Sequence, residues 1–403
     1  MSREAIAVDL GSRKVVAVRG VAHNDGRIEV LGVGVQPHSG VFTMAEVQQA
    51  EEASDVVREA LRKALDGKLR RLRSLPVHVA VSGKQFKASW ASAPVSLSKE
   101  EPTIITSSDL EEAISFVMNS PKHEGYVVFR FYPFVYKLDE KLQVEDPLGS
   151  RARSLRVEGL AAYMNDTLMN NLTAVLHEAG ISDRTLTFEY QPMASSYAVL
   201  TPGDRRENFL VLDLGHVKVD YAFWHQGSLR LASSLPAGSY QALVRALHQR
   251  FDISLEKAGE LLSLLGDIND PEAGEPEIQL SLGGQGIQKT FSRKEALKVV
   301  HRELDRLLDG FRQKLLKQLS VTGVIMVGGL SRVPGLLAYA EQRLQIPVQQ
   351  GRIHGLDDLA GREDPGLAVA AGALKLALGG LIPTRRRRRS LREQIKNLWK
   401  TFF

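Results

Sequence analysis

An internal repeat constrains this chain more than any other feature. Ile6 to Val18 reads IAVDLGSRKVVAV, and Leu210 to Ala222 reads LVLDLGHVKVDYA. Both carry Asp-Leu-Gly-x-x-Lys-Val behind an apolar run and continue into β-branched residues. Each copy reads as a buried strand, a turn at Asp-Leu-Gly and a returning strand. Two copies about 200 residues apart imply a duplicated domain. The length of 403 residues leaves room for two to four domains at roughly 100–200 residues each.

The segments after each copy alternate between strand and helix. After the first come a strand over 27–35, a helix over 45–65 and a strand over 77–82. After the second come a strand over 228–235, helices over 239–251 and 255–265, and a strand pair over 278–290. A long amphipathic helix over 292–319, a buried strand over 321–327 and a helix over 334–344 complete it. Mixtures of this kind pack helices on sheets. Residues 84–165 differ in texture, with an aromatic-rich strand over 126–136, a short helix over 109–118 and a final strand over 155–162. They read as an inserted α+β subdomain.

The hairpins suggest phosphate chemistry. A glycine after a strand-end aspartate lets backbone N–H groups approach a phosphate. The aspartate suits the waters of a bound Mg²⁺. This assigns Asp9, Gly11, Ser12, Arg13 and Lys14, then Asp213, Gly215, His216 and Lys218, to a phosphate clamp, with Asp9 and Asp213 toward Mg²⁺ through water. Gly328, Gly329 and Ser331 follow a buried strand and leave room for a base or ribose. There is no Walker A or G-x-G-x-x-G sequence. The chain has no cysteine, which excludes disulfides, thiolate metal sites and a cysteine nucleophile. Its ten histidines show no HxxxH pair. The opening MSREAIAVDLG carries no charged-then-apolar run, so no secretory leader is expected.

The order DLGSRK, ASSYAVL, a second Asp-Leu-Gly hairpin and VIMVGGLSRVPGL resembles the actin/Hsp70/sugar-kinase superfamily. Within it, the chain resembles the FtsA family. Val81-Ser82-Gly83-Lys84 is similar to the strand end that leads into that family's inserted subdomain, and Asp146-Pro147-Leu148-Gly149 to a segment inside it. The resemblance implies a duplicated actin-like (ribonuclease H-like) α/β fold with the inserted subdomain and a C-terminal amphipathic helix. The implied division is subdomain 1A over 1–83 and 166–205, and an FtsA-type, SHS2-like 1C over 84–165. Subdomain 2A follows over 206–236 and 321–366, 2B over 237–320, a helix returning to 1A over 367–383, and a tail over 384–403.

The departures are specific. The family's second motif resembles Asp-Ile-Gly-Gly-Gly-Thr-Thr-Asp, and here it is Asp213-Leu214-Gly215-His216-Val217-Lys218-Val219-Asp220. A β-branched Val217 tolerates positive φ badly, so loss of the glycine-loop geometry is expected. Lys218 offers a charge in exchange. In the helix resembling the family's ribose and base contact, the aligned positions are Gly259 and Leu262. Gln191 stands near the water-activating position, where an amide orients water but is a poor base. The resemblance implies ATP with Mg²⁺, in doubt because of 216–219, and at most weak ATPase activity. It places a partner contact, the FtsZ C-terminal tail, on the long helix at Glu303 and Arg306.

The net charge of +5 is located in the tail. From Arg385 to Phe403 there are eight basic residues and one acid, and the rest of the chain carries −2. Ser390 and Glu393 fit a capping box. On the helix that follows, Leu391, Ile395, Leu398, Trp399 and Phe402 fall within an arc of about 100°, with Lys396 and Lys400 opposite. Preceded by Arg385, Arg386, Arg387, Arg388 and Arg389, with Arg392 inside and Phe403 at the end, this describes an interfacial membrane helix. A nucleic-acid tail and a terminal helix docked on the protein's own core are the alternatives. The clean stripe and the five arginines favour anionic lipid over both, so no nucleic-acid partner is expected.

The implied function is a division adaptor that tethers FtsZ filaments to the cytoplasmic face of the inner membrane at the division site. Self-assembly into actin-like filaments and contacts to other divisome proteins through 84–165 accompany it. An ATP-driven ATPase that regulates assembly and a PilM-like pilus or secretion platform are the rival readings.

Overall fold

The same hairpin opens both halves of the molecule. The computed structural model describes residues 3–379 apart from 99, 271, 273, 283–286, 317, 318, 358 and 360–363. In the first half the strand Arg3–Leu10 pairs antiparallel with Lys14–Ala22, which pairs with Ile28–Pro37. On its other side Arg3–Leu10 lies parallel to Val77–Val81, and that strand parallel to Leu186–Tyr190. In the second half Phe209–Leu214, Val219–His225 and Ser228–Leu235 repeat the antiparallel run. Gly323–Val327 and Val348–Gln350 repeat the parallel pair. The registers coincide: Asp9 stands opposite Val16, and Asp213 opposite Asp220.

Alternation along the strands distributes the core. Leu210, Leu212 and Leu214 point into one apolar cluster with the helices Tyr240–Phe251, Leu255–Leu264 and Arg293–Phe311. Val211, one residue out of phase, joins the larger cluster under the first sheet. That cluster holds the helices Gln191–Val199 and Ala368–Gly379, which pack against each other between the two sheets. Pro192 suits the first turn of Gln191–Val199, where the missing N–H has no partner to lose. No helix among the described residues is long and apolar enough to cross a membrane.

The segment after Val81 builds its own four-stranded antiparallel sheet. Its spatial order is Leu142–Val144, Tyr126–Leu138, Ser154–Asn165, Phe86–Ser96. The helix Ser107–Met118 covers one face through Leu110, Ala113 and Val117. Thr106 N–H donates to Asp109 Oδ2 at 2.7 Å and caps that helix.

Two expected elements differ. The helix expected from 45 begins at Ala50, because Phe42–Thr43 and Glu46–Val47 form a tight hairpin. Met44 and Ala45 take left-handed backbone at its tip. The long helix expected over 292–319 keeps α geometry only over Arg293–Phe311, then changes to a wider π turn over Arg312–Leu316.

Candidate functional site

The two Asp-Leu-Gly turns face each other across one cavity of about 350 Å³, together with the Gly328–Gly329 turn. Both turns close in the same way. A Cβ on Gly11 would lie 2.7 Å from the Lys14 carbonyl oxygen, and one on Gly215 would lie 2.8 Å from that of Lys218. Glycine is required by this close approach and not by φ, because neither residue has positive φ. His216 and Val217 are also absent from the left-handed region, and Gly215 N–H donates to the Lys218 carbonyl at 3.0 Å. The expected loss of turn geometry at Val217 is therefore corrected: the second turn repeats the first without needing a left-handed residue. Gly328 does need one. Its φ is +85°, and a Cβ there would sit 2.5 Å from Asp213 Oδ1.

Asp9, Gly11, Ser12, Arg13, Lys14, Gln191, Asp213, Gly215, His216, Lys218, Gly328 and Gly329 all line the cavity. Ser331 does not. It is buried beneath the glycine turn, and its Oγ donates to the Gly328 carbonyl at 2.7 Å. Its role is to brace the turn. Sequence reasoning missed Asp220, Tyr240, Pro365 and Gly366, which also line the cavity, and Ser82 and Asp364 beside it. Tyr240 stacks on His216 at 5.0 Å and 26°. Its hydroxyl would lie 2.9 Å from a Cβ at Gly259, and Leu262 is buried in the core. Asp364 pairs with Arg332 and reaches Lys14 at 4.0 Å.

A dense polar cluster closes the floor. Lys218 Nζ donates to Gln191 Oε1 at 2.8 Å, to Ser82 Oγ at 2.5 Å and to Asp220 Oδ2. Gln191 Nε2 donates to Asp9 Oδ1 at 2.7 Å and to the Ala80 carbonyl at 3.3 Å. Ser82 Oγ also lies 2.5 Å from Gln191 Oε1 and 2.7 Å from Asp220 Oδ2. The Gln191 amide is thus engaged at both ends, which leaves it nothing with which to orient a water. Burial pushes Asp9 up to about 6, against the opposing pull of Lys218 and Lys14. Burial, with the Asp220 charge, pushes Asp213 up to about 7. Burial lowers His216 to about 4, so its ring is neutral at pH 7.

This cradle fits a nucleoside phosphate. The two turns offer backbone N–H groups, Lys14 offers charge, and the His216–Tyr240 stack offers an aromatic wall. A hydrated Mg²⁺ would have to anchor on the Asp213 carboxylate and the second oxygen of Asp9, because Asp9 Oδ1 is bonded to Gln191 Nε2, and among the described residues no group of three or more His, Asp or Glu has metal-holding geometry.

A second polar surface lies on the helix Arg293–Phe311. Glu303 and Arg306 pair with each other at 2.6 Å, Arg306 well exposed and Glu303 largely covered. Beside them an open groove is lined by Lys298, His301, Arg302, Asp305, Asp309 and Arg343. Arg343 is fixed by Asp309, with Nε to Oδ1 at 2.9 Å. The tail residues Arg385 to Phe403 lie outside the described residues.

Comparison with known proteins agrees with this architecture. The profile of the family described as Cell division protein FtsA matches residues 210–372. The FtsA of Escherichia coli strain K12 is 24% identical over 388 residues, covering 92% of this chain and 89% of that protein. Among solved structures, one titled PilM-PilN type IV pilus biogenesis complex superposes with a TM-score of 0.61 at 18% identity, over 94% of this chain and 99% of that one. MreB 5 of Spiroplasma citri bound to AMPPNP superposes with a TM-score of 0.54 at 12% identity, over 98% of each chain. With its duplicated sheets, facing glycine turns and inserted subdomain, the chain has the actin-like fold and is similar to the FtsA family of cell division proteins.

Proposed function

We propose that this protein is an actin-fold adaptor that holds FtsZ filaments at the cytoplasmic face of the membrane, and that binding, not turnover, is its task. The observation that carries this reading is the engagement of Gln191 at both ends, which removes the side chain best placed to orient a hydrolytic water. A nucleoside phosphate would be held by the Gly11 and Gly215 turns and by Lys14, with its base toward His216, Tyr240 and the Gly328–Gly329 turn. Its contribution would be charge and rigidity across the two halves. The reaction rival needs a free water-positioning group, and Gln191, the side chain the sequence places at that position, is not free.

Membrane attachment is assigned to the tail. Its five consecutive arginines and its Leu391, Ile395, Leu398, Trp399, Phe402 stripe support insertion at an anionic interface. Each basic residue near an anionic leaflet contributes about 1 kcal/mol. The FtsZ tail is assigned to the groove beside Glu303 and Arg306. Lys298, Arg306 and Arg343 are paired with Glu295, Glu303 and Asp309, and Arg302 on the same groove supports contact with an acidic peptide. Other division proteins are assigned to the inserted subdomain, where Phe116 and Leu142 are exposed. Self-assembly into filaments rests on the actin-like fold.

Sedimentation with vesicles tests the anchor. Full-length protein should pellet with anionic vesicles, release as salt rises, and ignore neutral vesicles, while a chain ending at Thr384 stays in solution. Equal pelleting of the two chains would refute the tail assignment. ATP-stimulated phosphate release at a steady rate would restore the ATPase rival.

A further inference from the structure

Lys14 and Lys218 are equivalent residues of the repeated hairpins, yet their surroundings differ. Among the described residues, Lys14 Nζ has one carboxylate within ion-pair reach, Asp364 at 4.0 Å. Lys218 Nζ is held by three acceptors drawn from both halves of the molecule. Ser82 follows the strand Val77–Val81, Gln191 opens the helix Gln191–Val199, and Asp220 lies on the strand Val219–His225. The ammonium sits one amide away from Asp9, through Gln191. It is the largest opposing charge on Asp9, and it also acts on Asp213.

A phosphate cleft built from Asp9, Asp213 and Asp220 carries three carboxylates close together. An anionic ligand can enter only if something offsets them. The usual solution is a divalent ion that keeps several waters and binds carboxylate and phosphate oxygens together. Here the amide of Gln191, one oxygen of Asp9 and both oxygens of Asp220 are already occupied within the protein. Lys14 and Lys218 together bring two positive charges, the charge of one such ion. An ammonium is a compact point charge that serves phosphate groups well.

We propose that Lys218 is the resident counter-ion of the cleft, so that a nucleoside di- or triphosphate binds there without Mg²⁺. The inference rests on the nucleotide reading above and specifies its chemistry. Lys218 also ties the two halves together by direct bonds, so closure of the cleft does not wait for an ion.

The experiment is a titration of the full-length chain with fluorescent N-methylanthraniloyl-ADP and -ATP, in excess Mg²⁺ and in excess EDTA. Wild type should bind in both, with affinities within about threefold. Lys218→Thr should lose at least about tenfold in EDTA and recover in Mg²⁺, while Lys218→Arg should stay independent of the ion. Melting without nucleotide gives a separate reading: Mg²⁺ should raise the melting temperature of Lys218→Thr and leave wild type unmoved. Binding by wild type only in Mg²⁺ overturns the inference and leaves the nucleotide reading intact. Unaltered binding by Lys218→Thr in EDTA also overturns it. Absence of binding under both conditions overturns the nucleotide reading and the inference with it.

Discussion

Replacing Glu189 by alanine should release the inserted subdomain from the first sheet. Glu189 is fully buried at the end of its strand. Its Oε1 accepts from His78 Nδ1 at 2.8 Å and pairs with Arg130 at 3.0 Å, and its Oε2 accepts from the Tyr132 hydroxyl at 2.7 Å. That hydroxyl in turn accepts from Tyr190 N–H at 2.8 Å. Arg130 and Tyr132 belong to the inserted sheet, and His78 and Glu189 to the first. Burial opposes the charge on Glu189, but Arg130 and the His78 hydrogen bond more than offset it and its net shift is downward. Removing the carboxylate leaves the partly buried Arg130 guanidinium without its carboxylate partner, and the His78 and Tyr132 donors without their acceptor. Breaking a buried pair from one side costs about 3–5 kcal/mol, whereas Tyr132→Phe should cost only about 1–3 kcal/mol. Amide hydrogen exchange localises the effect. Protection over 86–165 should fall by about two to four powers of ten in Glu189→Ala, with the second sheet unchanged. Replacing both Arg130 and Glu189 by methionine should recover much of the loss. A fall below about tenfold in Glu189→Ala, or equal loosening of both halves, would refute this role for the network.

Three further outcomes follow from single residues. Lys375 donates to the Tyr197 carbonyl at 2.8 Å, and burial, with Arg205 nearby, lowers its amine to about 8. The unfolded chain then binds the extra proton between about pH 8 and 10.5, so stability rises with pH across that window by up to about 1.4 kcal/mol per unit. Lys375→Met should lack this rise in denaturant titrations run at each pH. Gly11→Ala forces a Cβ against the Lys14 carbonyl at 2.7 Å, and should cost about 1–3 kcal/mol and weaken nucleotide binding; Gly26→Ala, where a Cβ meets open space, lacks that clash and should leave binding unchanged. Charge reversal at Arg302 and Arg306 should weaken capture of an acidic FtsZ tail peptide by at least about tenfold, measured by fluorescence anisotropy, and leave vesicle pelleting unchanged.

How much of the molecule was legible in the sequence depended on the range of the signal. The paired hairpins could be read because strand, turn and returning strand are local, and because the same spacing occurs twice. Their shared register, Asp9 opposite Val16 and Asp213 opposite Asp220, follows from that spacing. The aromatic-rich strand near 126–136 was visible for the same reason. The floor of the cleft was not, because Ser82, Gln191 and Asp220 converge from distant segments and carry no common pattern. Ser331 was misread because spacing near a glycine turn does not say which way a hydroxyl points. Val217 was misread because glycine in such turns was attributed to positive φ, whereas Gly215 is required by a neighbouring carbonyl.

The adaptor account is tested most directly by recruitment of fluorescent FtsZ to a supported anionic bilayer. Full-length protein should bring FtsZ filaments to the surface, with or without Mg²⁺ bound at the cleft of the adaptor. The chain ending at Thr384, and full-length Trp399→Glu, should leave them in solution. Recruitment that persists in both altered chains, or its absence with the intact chain on a bilayer the chain itself has coated, would contradict the account.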